Sequence, residues 1–201
     1  RPVICDIDAF TVQNLFEATR GLPPEQTIAI INVGASLSSL NIVSNGISAF
    51  TREIANGGNV ITEEIQKQLN IPFEQAEAYK CGGSPADEGN RPGMVPQQVV
   101  AVIEAVTDSI AAEIQRSLDF FMATSGENEI AHIYLTGGTA NLVALAQAIE
   151  RRARVPVSAW APTEGVAVER EVDSVLLQRR AAQLPVALGL ALRKERETRT
   201  S

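Results

Sequence analysis

The sequence predicts an α/β fold. Three runs rich in β-branched residues predict an antiparallel meander of strands over 27–33, 37–43 and 47–54. Asn45-Gly46 lies between the second and third runs, and this dipeptide is the strongest short-range signal for a β-hairpin. Residues 95–125 repeat apolar side chains every three or four positions, which is the pattern of an amphipathic helix. An apolar strand at 129–135 then leads into a glycine pair and a further helix, so strands and helices share the chain.

The remaining elements are predicted from the same patterns and from glycine and proline residues that mark the ends of helices and strands. A short strand is predicted at 3–7 and a helix at 9–19, which Gly21-Leu22-Pro23-Pro24 ends. After the meander, Gly57-Gly58-Asn59 predicts a loop in which Asn59 is the candidate N-cap of the next helix. The other predicted elements are helices at 60–69, 72–79, 142–152 and 184–192, a strand at 156–160 and a surface loop over 81–93.

The composition narrows the function classes. The 201 residues carry a formal net charge of −7, which argues against a nucleic-acid-binding surface but leaves room for a mononucleotide held by backbone N–H groups. Cys5 and Cys81 are far apart and His132 is the single histidine, so we expect neither a disulfide framework nor a Cys/His metal site. No apolar run approaches the roughly 18 residues of a transmembrane helix, and we expect a cytoplasmic protein without direct membrane insertion.

Two strand-turn segments have the features of a phosphate-binding site. In Asn32-Val33-Gly34-Ala35-Ser36, a buried strand enters a turn whose N–H groups and Ser36 hydroxyl can approach phosphate oxygens. In Thr136-Gly137-Gly138-Thr139, a glycine pair lets the backbone approach a nucleotide closely, and a helix begins just after it. Each segment also fits an ordinary tight turn, and neither by itself separates the two interpretations.

The order of these segments resembles the second half of the actin-like ATPase superfamily. In those proteins a phosphate-binding turn between two strands is followed by a Gly-Gly pair that opens a helix, an adenosine-contacting Gly-Gly turn and a closing Ala/Gly helix. The corresponding segments of this chain are 33–36, Gly57-Gly58-Asn59, 136–139 and 187–191.

Within that superfamily the sequence is similar to the PilM family, the FtsA-like cytoplasmic proteins of type IV pilus assembly. The similarity extends over nearly all of residues 3–192. The motifs that carry it are Asp8-Ala9-Phe10 with Gln13-Asn14, Asn32-Val33-Gly34-Ala35-Ser36, Phe50-Thr51-Arg52-Glu53-Ile54 with Gly57-Gly58-Asn59, and Leu135-Thr136-Gly137-Gly138-Thr139-Ala140-Asn141-Leu142.

The resemblance implies an actin-like, ribonuclease H-like fold of which this chain is the second half. Residues 1–21 would then be a strand and helix that connect to an absent first half. The nucleotide-binding subdomain would comprise 22–59 and 123–192, with a smaller helical subdomain inserted at 60–122. Residues 193–201 would form a disordered, charged tail.

The resemblance also implies a site for ATP and Mg²⁺. The implied phosphate ligands are Gly34, Ala35 and Ser36 at the β- and γ-phosphates, with Gly57 and Gly58 opening the next helix, and Gly137, Gly138 and Thr139 at the α-phosphate and adenosine. Glu77 and Lys80 resemble the Glu-x-x-Lys pair that flanks the adenosine, although a solvated ion pair has the same spacing.

Two acidic or amide residues decide how well such a site would hydrolyse ATP. Asp8 resembles the carboxylate that orients the attacking water, and it equally fits a strand-end surface acid. Asn32 stands where many actin-like ATPases have an acid that helps to hold hydrated Mg²⁺. Because an amide binds Mg²⁺ less well than a carboxylate does, we expect nucleotide binding with slow or absent hydrolysis.

The function implied by the resemblance is that of an ATP-binding scaffold of type IV pilus assembly, peripheral to the inner membrane. Its implied partners are the cytoplasmic N-terminal segment of PilN and, through PilN, the inner-membrane assembly platform. The alternatives are an FtsA-type filament protein at the membrane and an active actin-fold phosphotransferase. Nothing beyond Asp8 offers the catalytic acid that a phosphotransferase needs.

Overall fold

A five-stranded sheet organises the chain, with helices packed on both of its faces. The computed structural model describes residues 5–82, 95–126, 129–169 and 171–193. The strands are β1 (Thr27–Val33), β2 (Ser38–Ser44), β3 (Ile47–Ile54), β4 (His132–Thr136) and β5 (Val157–Ala159). The helices are α1 (Asp8–Arg20), α2 (Gly58–Leu69), α3 (Phe73–Lys80), α4 (Gln97–Ser125), α5 (Val143–Ala153), α6 (Ser174–Arg180) and α7 (Pro185–Ala191), with 3₁₀ turns at Gly138–Asn141 and Ala181–Gln183.

The strand order β3-β2-β1-β4-β5 brings the two predicted turns together. The first three strands form the predicted antiparallel meander, and β4 pairs with β1 in parallel. In this register Asn32 near the end of β1 lies opposite Thr136 at the end of β4. The carboxyl ends of β1 and β4 therefore meet at one edge of the sheet, which is where open α/β sheets place their ligands.

Alternation along the strands separates two hydrophobic clusters. Ala29 and Ile31 of β1 face the larger cluster, into which α2, α4 and α5 pack. Ile28 and Ile30 face the smaller cluster, which contains residues of α1. Successive side chains of a strand point to opposite faces of the sheet, so a strand that is apolar throughout, such as β1, contributes to a core on each face.

The predicted helical subdomain shares the larger hydrophobic cluster with the sheet. Ile61 of α2 and Ile114 of α4 are fully buried in the same cluster as Ile31 of β1. The division of the chain into two subdomains at 60–122 therefore stays a prediction.

The amphipathic pattern at 95–125 corresponds to α4, a helix of 29 residues. Its buried positions include Ile110, Ile114, Leu118 and Phe121, which follow the predicted spacing of three and four. The helix ends at Gly126, whose φ of 76° is the left-handed conformation of a glycine C-cap.

Some predicted elements were wrong. The strand predicted at 3–7 is not observed at its described residues 5–7, which lead directly into α1 with Ile7 as the extended N-cap residue. The rest of that predicted strand lies outside the described residues. Asn59 is not the N-cap of α2, since that position is taken by Gly57 and Asn59 lies inside the first helical turn. Residues 83–93 of the predicted loop and 194–201 of the predicted tail also lie outside the described residues.

Helix α6 was not predicted. Its seven residues, SVLLQRR, show no apolar repeat at a spacing of three or four over more than one turn. The side chain of Asp173 accepts hydrogen bonds from the N–H groups of Val175 and Leu176, at 2.9 and 3.1 Å, and so caps this helix. Val175 and Leu176 are themselves exposed, which explains why hydrophobic periodicity gave no signal for the helix.

Candidate functional site

The two glycine turns line one cleft of about 680 Å³ at the carboxyl edge of β1 and β4. A cleft of this size is in the range of roughly 300–1,000 Å³ that is usual for small-molecule sites. Its lining residues are Asn32, Gly34, Ala35, Asn59, Glu77, Lys80, Cys81, Gly137, Gly138, Thr139, Asn141, Leu142, Ala182, Gln183, Pro185 and Val186.

The first turn, between β1 and β2, is held from three sides. The N–H of Gly34 donates to the carbonyl of Leu37 at 2.9 Å, which closes the turn. The carbonyl of Gly34 accepts from the N–H of Gly58 at 2.9 Å and from the hydroxyl of Thr139 at 2.8 Å. One carbonyl oxygen thus joins the first turn both to α2 and to the second turn.

The start of α2 is bonded to this turn. Besides the Gly58 bond, the N–H of Asn59 donates to the carbonyl of Ala35 at 2.7 Å. A Cβ atom at Gly57 would come within 3.0 Å of the carbonyls of Ala35 and Gly34, and one at Gly58 would meet the hydroxyl of Thr139 equally closely. The glycine pair therefore lies beneath the turn and lets the helix approach it.

The second turn follows β4. Gly137 has φ of 95°, a conformation that side chains rarely adopt, and a Cβ atom there would come within 3.0 Å of the Val33 carbonyl and Asn32 Oδ1. The 3₁₀ turn Gly138–Asn141 separates Gly137 from α5. Helix α5 begins within one residue of its predicted start at 142, and Thr139 within the 3₁₀ turn supplies the bond to Gly34.

Glu77 and Lys80 of α3 form an ion pair beside the cleft. The ammonium of Lys80 lies 2.6 Å from Glu77 Oε2, and only 9% of the Lys80 side chain is exposed. Burial raises the pKa of Glu77, but hydrogen bonds from Lys80 and Thr62 and the charge of Lys80 outweigh burial, so the pKa lies below its ordinary value. Desolvation and the neighbouring Glu77 charge raise the pKa of the Cys81 thiol.

The structure brings together most of the predicted site residues. Those in the cleft lining are Asn32, Gly34, Ala35, Glu77, Lys80, Gly137, Gly138 and Thr139. Three others lie at its margin: Gly57 and Gly58 beneath the first turn, and Ser36, whose hydroxyl accepts from the Asn59 side chain at 3.3 Å.

Asp8 is not in this lining. It borders a different cleft, of about 430 Å³, together with Thr51, Arg52 and Glu53. His132 is also outside the lining; its ring nitrogen lies 2.9 Å from the hydroxyl of Ser158, and burial together with the charge of Arg20 lowers its pKa. Within the described ranges, no group of three or more His, Cys, Asp or Glu residues could hold a metal ion.

Sequence reasoning missed the residues at one wall of the cleft. Ala182 and Gln183 belong to a 3₁₀ turn, and the side chain of Gln183 lies beside Gly138. The closing helix that follows was predicted, but the turn before it has no glycine or periodic apolar signal. Only packing of the chain end against the second turn places Gln183 at the cleft.

Comparison with known proteins identifies the family. The family model of the type IV pilus assembly protein PilM matches residues 1–195. The chain belongs to the PilM family. The resemblance predicted from the sequence motifs is therefore confirmed.

Solved structures and curated proteins agree with this assignment. A chain of the PilM–PilN type IV pilus biogenesis complex is 27% identical, with a TM-score of 0.79, over 95% of this chain and 52% of that chain. The cell division protein FtsA of Neisseria meningitidis serogroup B (strain ATCC BAA-335 / MC58) is 25% identical over an alignment of 154 residues; the match covers 68% of this chain and 37% of FtsA. MreB5 of Spiroplasma citri bound to ADP, at 16% identity, has a TM-score of 0.63 over 95% of this chain and 59% of that chain.

These matches show that this PilM-family chain has the predicted α/β, actin-like fold. They also show that it spans about half the length of the solved chains that it resembles, and less of FtsA. Among the described helices, none is long and apolar enough to cross a membrane.

Proposed function

We propose that the cleft binds ATP with Mg²⁺, in a scaffold protein of type IV pilus assembly. The observation that carries this proposal is the hydrogen bond from the Thr139 hydroxyl to the Gly34 carbonyl. It joins two glycine turns, 105 positions apart in the sequence, into one backbone-lined cradle. Backbone-lined turns of this kind suit phosphate groups, and the MreB5 structure of the same fold is described as bound to ADP.

Different residues of the cleft would contact different parts of the nucleotide. The turn at Gly34 and Ala35 would face the β- and γ-phosphates, and Gly137-Gly138 would let the backbone approach the α-phosphate and adenosine. The close approach of Gly137 to Asn32 and Val33 leaves no room for a side chain, which is the property such a cradle requires.

We propose slow or absent ATP hydrolysis. Asn32 lines the cleft as a neutral amide, and Glu77 is the only acidic residue among the described residues of its lining. Glu77 is paired with Lys80, so it is poorly suited to accept a proton from an attacking water. Hydrated Mg²⁺ would be held mainly by the phosphates themselves, with Asn32 contributing indirectly.

Titration of ATP, ADP and GTP into the full-length protein tests the nucleotide proposal. With Mg²⁺ present, calorimetry should show a single site that prefers adenine nucleotides, while phosphate release should stay near background. Failure of all three nucleotides to bind would overturn the proposal. Rapid phosphate transfer to a small acceptor would instead support an actin-fold phosphotransferase.

We further propose that the whole protein binds the cytoplasmic N-terminal segment of PilN at the inner-membrane assembly platform. The support is membership of the PilM family and the likeness to a chain of the PilM–PilN complex. A synthetic peptide of the PilN N-terminal segment should bind the full-length protein at micromolar concentration, and a scrambled peptide should not. Equal binding of both peptides would contradict this partner.

Thr139→Val should weaken ATP binding about fivefold. The substitution removes the hydroxyl that joins the two turns, and a hydrogen bond of this kind contributes about 1 kcal/mol. Calorimetric titration of ATP into Thr139→Val and Thr139→Ser measures the effect, with the serine variant expected to retain most of the affinity. Thr51→Val on the edge strand β3 is the matched control and should bind ATP like the wild type. Unchanged affinity in Thr139→Val would show that the bond does not shape the cleft.

A further inference from the structure

Behind the cleft, one buried hydroxyl joins helices α2 and α3. Thr62 of α2 is fully buried. Its hydroxyl donates to Glu77 Oε2 at 2.5 Å and accepts from the ammonium of Lys80 at 2.9 Å. Hydrogen bonds that involve an ionised partner are roughly twice as strong as neutral ones, so these contacts hold α3 firmly against α2.

The ammonium of Lys80 has no N–H group left for a ligand. A lysine ammonium donates three hydrogen bonds. Its three acceptors here are Glu77 Oε2 at 2.6 Å, Thr62 Oγ1 at 2.9 Å and the carbonyl of Gly58 at 3.2 Å. Although Lys80 lines the cleft, its charge is already neutralised by Glu77.

The hydrogen bond from Lys80 to Gly58 connects the cluster of Thr62, Glu77 and Lys80 to the first turn. Lys80 bonds the carbonyl of Gly58, while the N–H of the same residue bonds the carbonyl of Gly34 in the first turn. Gly34 in turn accepts from Thr139 of the second turn. A continuous series of hydrogen bonds therefore runs from Glu77 through Lys80 and Gly58 to both turns.

We propose that Thr62 and Lys80 are positioning residues, which with Glu77 hold the Gly58 peptide and so set the shape of the nucleotide cleft. This inference rests on the proposed nucleotide-binding function and deepens it. Lys80 supports the turn from behind and does not bind a phosphate through its ammonium.

Amide exchange in the nucleotide-free protein tests the positioning role directly. Thr62→Val is nearly isosteric and removes only the hydroxyl. It should speed exchange of the Asn59 N–H, which shares its peptide with the Gly58 carbonyl, and of the adjacent Gly58 N–H about tenfold, because both lose the support of that carbonyl. Thr62→Ser should restore slow exchange.

The matched control is Thr107→Val in α4. Thr107 is equally buried, but its hydroxyl donates to carbonyls of its own helix, Ile103 and Glu104. This variant should leave Gly58 and Asn59 exchange unchanged. Slow Gly58 exchange in Thr62→Val, or fast exchange in both valine variants, would overturn the positioning role whether or not nucleotide binds.

Titration of ATP, ADP and AMP into the full-length variants separates positioning from phosphate binding. Thr62→Val and Lys80→Met should each weaken ATP and ADP binding about tenfold and AMP binding less, because the turn that they support faces the β- and γ-phosphates. Equal losses for ATP and AMP in Lys80→Met would indicate an adenosine ligand and would overturn the proposal. A loss for ATP in Lys80→Met at least ten times the loss in Thr62→Val would indicate a phosphate ligand and would also overturn it.

Lys67→Met supplies the control for the loss of a lysine. Lys67 forms an exposed ion pair with Glu64 at the same i,i+3 spacing, away from the cleft lining. It should bind all three nucleotides like the wild type. Absence of binding by the wild type would defeat the proposed function, and the exchange experiment would then report on Thr62 independently.

Discussion

Gly137→Ala is expected to destabilise the protein by about 2–6 kcal/mol and to abolish ATP binding at millimolar concentration. The added methyl group meets two costs. Gly137 has φ of 95° and ψ of 160°, a backbone conformation that is essentially restricted to glycine, so a side chain there costs about 1–3 kcal/mol. The methyl group would also collide with the Val33 carbonyl and Asn32 Oδ1, so the second turn must move away from the first. Urea denaturation of the variant gives the stability, and calorimetry gives the affinity.

Gly46→Ala separates the strain from the collision. Gly46 has φ of 78° in the hairpin between β2 and β3, and a Cβ atom there meets nothing within 4 Å. This variant should lose only the strain energy of about 1–2 kcal/mol and should keep its ATP affinity. Equal losses in the two variants would show that the contact between β1 and the second turn contributes nothing.

Phe16→Ala is expected to lower the free energy of unfolding by about 3–5 kcal/mol. Phe16 is 1% exposed at the centre of the smaller hydrophobic cluster. Its ring lies 4.7 Å from that of Tyr134 and 5.0 Å from that of Trp160, measured between centroids. The substitution leaves a cavity between α1 and the sheet, and urea denaturation measures its cost.

Phe120→Ala is the control, because the same side chain stands at an exposed position. Phe120 is 57% exposed on α4 and contacts the ring of Phe50 at a centroid distance of 5.9 Å. Its removal should cost no more than about 1 kcal/mol. A Phe16→Ala variant as stable as Phe120→Ala would contradict the packing of α1 against Tyr134 of β4 and against Trp160, which follows β5.

Local patterns were sufficient to predict the elements whose signals lie within one segment. The meander follows from β-branched runs and Asn45-Gly46, and the bounds of β1 and β3 coincide with the prediction. Helix α4 follows from its apolar spacing and ends at Gly126. By contrast, α6 has exposed apolar residues and no such spacing, so only its Asp173 cap could have indicated it.

The candidate site was predicted only where a glycine or a family motif marked it. Gly34 and Gly137-Gly138 carry such marks, and the structure places them in one cleft. Thr62 carries none, since a threonine inside a helix is unremarkable in sequence. Its role depends on Glu77 of the next helix and is visible only in three dimensions.

The α/β class, the meander, the long helix and the two glycine turns could be predicted from the sequence, because each depends on residues close together in the chain. The meeting of the turns in one cleft could not be predicted in this way, since the parallel pairing of β1 with β4 and the bond from Thr139 to Gly34 join distant segments. The same holds for the position of Asp8 at a different cleft and for the three protein acceptors of the Lys80 ammonium. Such facts depend on packing between elements, which local propensity does not encode.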